Sequence, residues 1–587
     1  MYARISHMLV ACGCIALAVV GGCKGETGTN PPNSSDIIPN PLGPLALGDL
    51  VKLNVNGDSS CNAAIYHTAR VVAISSKAII LADTLNPKNG FTTADYQRFA
   101  TRFDTLVYPL DVANFGEPLD IDKNGHIAIL FTRAVNELTP PKANSYVGGF
   151  VFSRDLFPNT QTPRAQACAG SNQGEYFYML APDPSGVVNG NVRTTGFVDS
   201  ATVAVLAHEF EHLINATRRL YVNNSPVFED KWLDEGLAHI AEELLYYRES
   251  GLSPRSNLDI AAIRSTSARS IAFSANMSGN ASRYRSYLGT PAQNSPYSLN
   301  DSLATRGAAW SLLRYTVDRL NATDGFIAGN GQAVTAPGDV ALSAGATSGE
   351  FTITLANTSL QSGGITSFVL KSTPGAGTAV LPVTDAVAPS MMRIPTVEDD
   401  PNTLRRDEKF EARLRARERA ELTPLMGAAR SWYASQAMPA PALIPRRSLN
   451  TSGNFAEADA ATWFRLVNAT TAGITNLQSV VGGGLAGFVR DWQVSHALDD
   501  VAALNTQYQQ RSWYWHSIYP NISNPASTYP LPIQVVSLNT NLNGTIVAGG
   551  AQYYRVAVPA NGTATLSLSA PGGAVNANLQ MIVVRTQ

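Results

Sequence analysis

Charge is scarce in this chain. Asp, Glu, Lys and Arg together make up 15% of its 587 residues, and 43 basic against 45 acidic side chains leave a net charge of −2. There is no basic footprint for a polyanion, so nucleic acid is not expected as a partner. Long apolar runs are missing as well. Met8 to Val20 is apolar, but it falls short of the roughly 20 residues that a membrane-spanning helix needs. Cysteine is rare, and neither Cys61 nor Cys168 has a His-bearing motif beside it, so neither reads as a nucleophile. Histidine is rarer still for the length, with 8 in all. Hydrophobic residues are plentiful, at 44%, with 34 Pro and 46 Gly. The chain reads as globular and loop-rich, with room for several domains and a large core.

Two of those few histidines stand four apart, in His208-Glu209-Phe210-Glu211-His212. A chance His-Glu-x-x-His in so His-poor a chain is improbable, on the order of one in a few hundred such chains. No Pro or Gly interrupts Thr202 to Arg218, and Val203, Leu206, Phe210, Leu213 and Ile214 supply apolar flanks. The stretch predicts a helix with Asp199 or Ser200 as its N-cap. On a helix both imidazoles project from one face about a turn apart, which suits two nitrogen ligands on one tetrahedral zinc. Glu209 then stands where a general base for a metal-activated water belongs. A surface helix with two partly exposed histidines is the plainer alternative.

A catalytic zinc takes three protein ligands and keeps one position open. A third His after a downstream Gly is ruled out, because those places hold Asn215 and Arg218. A carboxylate on a second helix is the other option. Trp232-Leu233-Asp234-Glu235-Gly236-Leu237-Ala238-His239 begins such a helix, with apolar residues at 233, 237, 240 and 244 marking its core face. Glu235, His239, Glu242 and Tyr246 fall on one stripe of the other side. Glu235 is the expected ligand and Glu242 its rival. His239 and Glu242 are candidates for orienting a ligand or stabilising the transition state. Tyr246 and Tyr315 join His239 as candidate oxyanion donors.

The pair of motifs, His-Glu-Phe-Glu-His and then Trp-Leu-Asp-Glu-Gly-Leu-Ala-His, resembles the gluzincin zinc proteases, and most closely the hyicolysin-like family of secreted bacterial metalloproteases. The similarity runs from about Gly48 to Tyr519, with an insertion, and the 22 residues between His212 and Glu235 are compatible with it. It implies a zincin-like α+β core, one catalytic Zn2+ on His208, His212 and Glu235, Glu209 as base, and peptidase activity on protein or peptide substrates. It also implies that a strand beside the first helix binds substrate backbone by strand addition.

The N-terminus reads as a targeting segment. Arg4 precedes the apolar run, which ends Val20-Gly21-Gly22-Cys23. That ending resembles a bacterial lipoprotein signal, which implies cleavage before Cys23, lipidation of its sulfur and membrane anchoring. The expected location is an exported lipoprotein of the outer membrane or cell surface, facing periplasm or exterior. Cys12 and Cys14 leave with the signal, so a Cys61–Cys168 disulfide is the natural remaining pair in an oxidising compartment.

The expected organisation is a signal peptide at 1–22, a flexible tether at 23–47 and a metalloprotease core at 48–325. A β-rich insert at 326–390, a charged helix and linker at 391–452, a helical remainder of the catalytic domain at 453–525 and a C-terminal β-domain at 526–587 follow. Within the core, Asp120-Ile121-Asp122-Lys123-Asn124-Gly125 resembles the start of a calcium loop, but its twelfth position is Phe131 rather than Glu. A turn into the strand His126 to Phe131 is expected, with Ca2+ as the lesser alternative. Arg405 to Leu422 is charge-dense with a thin apolar stripe, Phe410 and Leu414, and is assigned no chemistry. Ala560-Asn561-Gly562 predicts a hairpin between Tyr553–Pro559 and Thr563–Ser569. The function expected is a lipid-anchored zinc metalloendopeptidase. A surface adhesion lipoprotein with a vestigial site and a non-peptidase zinc amidohydrolase are the alternatives.

Overall fold

The computed structural model describes residues 37–39, 45–57, 61–143, 145–160, 167–320, 332–378, 405–406, 408–435, 455–499, 508–522, 528–573 and 575–586. The signal segment, Cys23 and most of the tether lie outside the described residues. No described helix is long and apolar enough to cross a membrane.

The chain folds as α+β. A seven-stranded mixed sheet runs in the order Ile37–Pro39, Leu50–Asn54, Tyr66–Ile74, Ala78–Asp83, Ile127–Thr132, Tyr176–Leu180, Gly149–Val151. Its central strands are parallel, and Gly149–Val151 closes one edge antiparallel to Tyr176–Leu180. Ile127–Thr132 has no polar alternation because it is buried along its whole length. One face of the sheet packs on a helical layer through Phe99, Phe103, Phe177 and Phe210. Phe150, Tyr178, Leu81 and Leu130 belong to the core of the other face. The expected Cys61–Cys168 disulfide is present and ties segments 107 residues apart, a loop closure typically worth about 2–4 kcal/mol.

The helical layer is built around Thr195–Thr217, Lys231–Ser250 and Leu303–Leu320. Residues 235–247 of Lys231–Ser250 are buried on all sides, so the polar stripe of this helix faces other elements and not water. Leu303–Leu320 lies against Ser278–Gly289 at Gly307, where a Cβ would sit 2.3 Å from the Arg283 carbonyl carbon. Only glycine permits that approach. The helices Ala460–Val467, Gly473–Val481 and Leu485–Leu498 complete this half.

The two β-rich segments do not form separate modules. Strands from both alternate in one sandwich. One sheet holds Gly338–Ser343, Thr563–Ser569, Ile365–Pro374 and Thr540–Val547. The other holds Ile533–Val536, Ala551–Val558, Gly349–Asn357, Asn576–Arg585 and Gln332–Ala336. The expected hairpin is therefore wrong: Ala551–Val558 and Thr563–Ser569 sit in different sheets. The turn itself forms, with Asn561 at φ 60° and the Gly562 amide donating to Pro559 O at 2.8 Å. It carries the chain across the sandwich instead of back along it. Tyr553 Oη donates to Gln493 O and Gln493 Nε2 to Gly550 O, both at 2.8 Å, docking the sandwich on the helical layer.

Candidate metal centre

Thr194 caps the first site helix, its side chain accepting from the Phe197 amide at 3.2 Å. The helix therefore starts before the expected caps. Asp199 lies inside it and pairs with Arg98 at 2.6 Å. On this helix the Nε2 atoms of His208 and His212 stand 3.2 Å apart. From the second helix, Glu235 Oε2 lies 3.6 Å from Nε2 of His208 and 3.9 Å from Nε2 of His212. Donors bound to one tetrahedral ion at 2.0–2.1 Å are about 3.3 Å from each other. His208, His212 and Glu235 thus form a group that could hold a metal ion. The three are 0%, 3% and 0% exposed. Glu235 Oε1 is buried with no hydrogen-bond partner, and a buried carboxylate oxygen in that position fits a cation.

The other ring nitrogens face carboxylates at ion-pair distance. His208 Nδ1 is 2.9 Å from Glu242 Oε1, and His212 Nδ1 is 3.1 Å from Asp234 Oδ2. Carboxylates in those places fix ring orientation and leave each Nε2 for a metal. Glu242, the rival ligand, therefore stands on the Nδ1 side of His208 while Glu235 stands on the Nε2 side. Burial pulls the His212 pKa down, the Asp234 carboxylate pushes it up, and the net shift is upward. His239 is fully buried, with its ring 4.9 Å from that of His208 and its Nδ1 3.4 Å from Glu242 Oε2. It reaches the centre by way of Glu242, and His208, His239 and Glu242 form a second group able to hold an ion. Tyr246 packs instead with Tyr247, Phe273 and Trp513, and Tyr315 lies beside Arg319.

Two arginines at the centre escaped the sequence reading. Arg306, from Leu303–Leu320, places Nη1 2.8 Å from Glu235 Oε2, while its Nε and Nη2 donate to Asp301 at 3.0 Å each. Arg415, from the charged helix Glu408–Leu422, puts Nη2 3.6 Å from Oε2 of Glu209, which is itself 1% exposed. Burial works against the Arg415 charge, but Glu418, Asp234 and Glu209 hold it protonated. Beside the centre is a cavity of about 640 Å³ whose wall includes His212, Asp234, Phe228, Trp232, Tyr297 and Arg415.

A second acidic group lies away from this centre. Oxygens of Asp120, Asp122 and Glu175 converge within 4.8 Å of one another. The loop does form a turn into the strand Ile127–Thr132, with positive φ at Lys123 and Gly125. Asp120 Oδ2 accepts from the Gly125 amide and Asp122 Oδ1 from the Asn124 amide, both at 3.1 Å. Glu175 arrives from the start of another strand. Its Oε1 accepts from the Ile121 amide at 2.8 Å, and its Oε2 is buried without a hydrogen-bond partner. Burial, with Asp120 adding to it, pushes the Asp122 carboxyl up to about 8, and burial raises Glu175 as well.

No protein-family model matches the chain. The chain is similar to the neutral metalloprotease ShpI of Staphylococcus hyicus, 30% identical over 156 residues, which are 27% of this chain and 32% of that protein. The chain thus spans about a third of the length of the curated relative it matches.

Proposed function

We propose that the protein is a zinc metalloendopeptidase of hyicolysin-like type, exported and anchored to a membrane through lipidated Cys23. One observation carries the reading: Nε2 of His208, Nε2 of His212 and Oε2 of Glu235 face each other at 3.2–3.9 Å, with Glu209 next to the first of them in sequence. The partial likeness to ShpI supports it. The lipid anchor rests on Val20-Gly21-Gly22-Cys23 alone.

In this reading His208, His212 and Glu235 hold the metal. Bound there, Zn2+ supplies a Lewis acid for the scissile carbonyl and lowers the pKa of a water toward about 7. Glu209 accepts the proton of the attacking water on a carboxylate oxygen and delivers it to the departing amine. Asp234 and Glu242 keep the two imidazoles in the tautomer that leaves Nε2 without a proton. Arg306 orients Glu235. His239 acts through Glu242 as a positioning group. Purified protein is expected to digest casein, to lose that activity with a chelator and to regain it with Zn2+. A protein that holds zinc but leaves casein and peptides intact is the amidohydrolase alternative. One that takes up no metal is the adhesion lipoprotein.

Asp120, Asp122 and Glu175 are proposed as a structural Ca2+ site, on the strength of the converging oxygens and the buried Glu175 Oε2. Calcium at a hundredfold excess over its Kd stabilises by about 2.7 kcal/mol, a rise in Tm of about 2 °C for a chain of this length. The rise is expected in the parent protein and not in Asp122→Asn. A calcium-independent Tm in the chelator-stripped parent protein would leave the loop a turn and nothing more.

A further inference from the structure

The charged helix Glu408–Leu422 lies over the metal centre. Its thin apolar stripe is seated in the sheet core, with Phe410 and Leu414 buried and the Phe410 ring 5.3 Å from that of Phe150. The next residue after Leu414 is Arg415, so seating the stripe delivers a guanidinium to Glu209 at 3.6 Å and to Asp234 at 3.9 Å.

The same helix also takes the backbone groups of the sheet edge. Gly148 O bonds inward, to the Leu180 amide. Gly149–Val151 is the edge strand of the sheet, and by strand alternation the polar groups of Val151 point outward, where an extended peptide would add. Ser153 follows the strand and opens the 3-10 turn Ser153–Leu156. Val151 O and the Ser153 amide are both occupied. Arg415 Nη1 donates to Val151 O at 3.0 Å, and the Ser153 amide donates to Glu418 Oε1 at 2.6 Å. Arg415 and Glu418 are themselves paired at 3.1 Å. Arg405–Arg406 pairs in parallel with Ser145–Tyr146, in a two-stranded ladder separate from the seven-stranded sheet. Residues 405–406, 415 and 418 therefore meet 145–146, 151 and 153 in the same order.

We propose that the helix Glu408–Leu422 is an autoinhibitory latch. Arg415 and Glu418 occupy Val151 O and the Ser153 amide at the end of the sheet edge that a substrate backbone needs, and Arg415 pairs with the general base. The ligands and Glu209, at 0–3% exposure, are closed to a polypeptide until this segment moves. The inference rests on the peptidase reading for the identity of the excluded molecule, an extended peptide.

The test uses the full chain loaded with Co2+, whose visible absorption reports ligation without any need for turnover. The parent protein and an Arg415→Ala/Glu418→Ala variant are titrated with a peptide hydroxamate and with acetohydroxamate. Apparent affinity scales with the fraction of open protein, so the peptide hydroxamate is expected to bind the variant at least about tenfold more tightly. Acetohydroxamate, which needs no sheet edge, should change by less than about threefold. Equal or weaker binding of the peptide hydroxamate by the variant overturns the latch. Casein cleavage is read in parallel. A gain in affinity with no cleavage by either protein keeps the latch and removes the peptidase reading. Cleavage by both with unchanged affinity does the reverse. Cobalt stoichiometry and Tm report folding, and Glu418→Gln, nearly isosteric, repeats the titration with a smaller rise if the double variant does not fold.

Discussion

Glu209→Gln is expected to leave the bound metal in place and to lower kcat/KM for a peptide by about 10²–10⁴-fold. The two halves of that result have separate causes. None of the three converging ligand atoms belongs to Glu209, so metal affinity stays with His208, His212 and Glu235. The amide has the size of the carboxylate but cannot accept the proton of an attacking water. Folding is expected to survive, because Arg415 keeps Glu418 and Asp234 as partners when its contact with Glu209 is weakened. Metal content by elemental analysis and turnover of a quenched peptide check both halves. Parental turnover in a preparation free of other proteases counts against Glu209 as base.

The second large effect is on stability. Glu243→Ala is expected to destabilise the protein by about 3–5 kcal/mol, as removal of one member of a buried ionic network does. Glu243 is fully buried. Its Oε2 accepts from Trp310 Nε1 at 3.1 Å and from Arg314 Nε at 2.9 Å. Its Oε1 accepts from Trp513 Nε1 at 2.6 Å and from Tyr247 Oη at 2.9 Å. One carboxylate thus joins the Glu235 helix, the Arg306 helix and the aromatic segment around Trp513. Arg314 retains Glu457 after the substitution, at 2.5 Å, but two indole donors are left buried and unmatched. Denaturant unfolding measures the loss. A change under about 1 kcal/mol would mean that the junction is held by packing alone. The metal centre should loosen with it, since Glu235 and Glu243 share a helix.

The imidazole pair and Glu235 were legible because a helix places residues four apart on one face, and that period is written locally. The carboxylates behind the rings were partly legible. Glu242 stands out on its stripe, while nothing in the motif marks Asp234 as the group that faces His212 Nδ1. Arg306 and Arg415 were not legible at all. Each reaches the centre from a helix distant in sequence, and nothing local distinguishes an arginine that pairs with Glu209 from its solvated neighbours. The charge density of 405–422 hid the useful detail, that Phe410 and Leu414 are buried and carry Arg415 inward with them. In the β half, alternation marked the strands but not their partners. Gly349–Asn357 pairs with Ala551–Val558 and Asn576–Arg585, and no turn chemistry encodes contacts so far apart. Asn561-Gly562 signalled a turn correctly, but whether a turn folds back or crosses to a second sheet is decided by burial of the flanking strands.

The most direct test is crystallographic. Crystals soaked with Zn2+ and measured across the zinc absorption edge should show one strong anomalous peak within about 2.0–2.2 Å of His208 Nε2, His212 Nε2 and a Glu235 oxygen. A peak on His208, His239 and Glu242 instead, or no peak near the two imidazoles, would contradict the account.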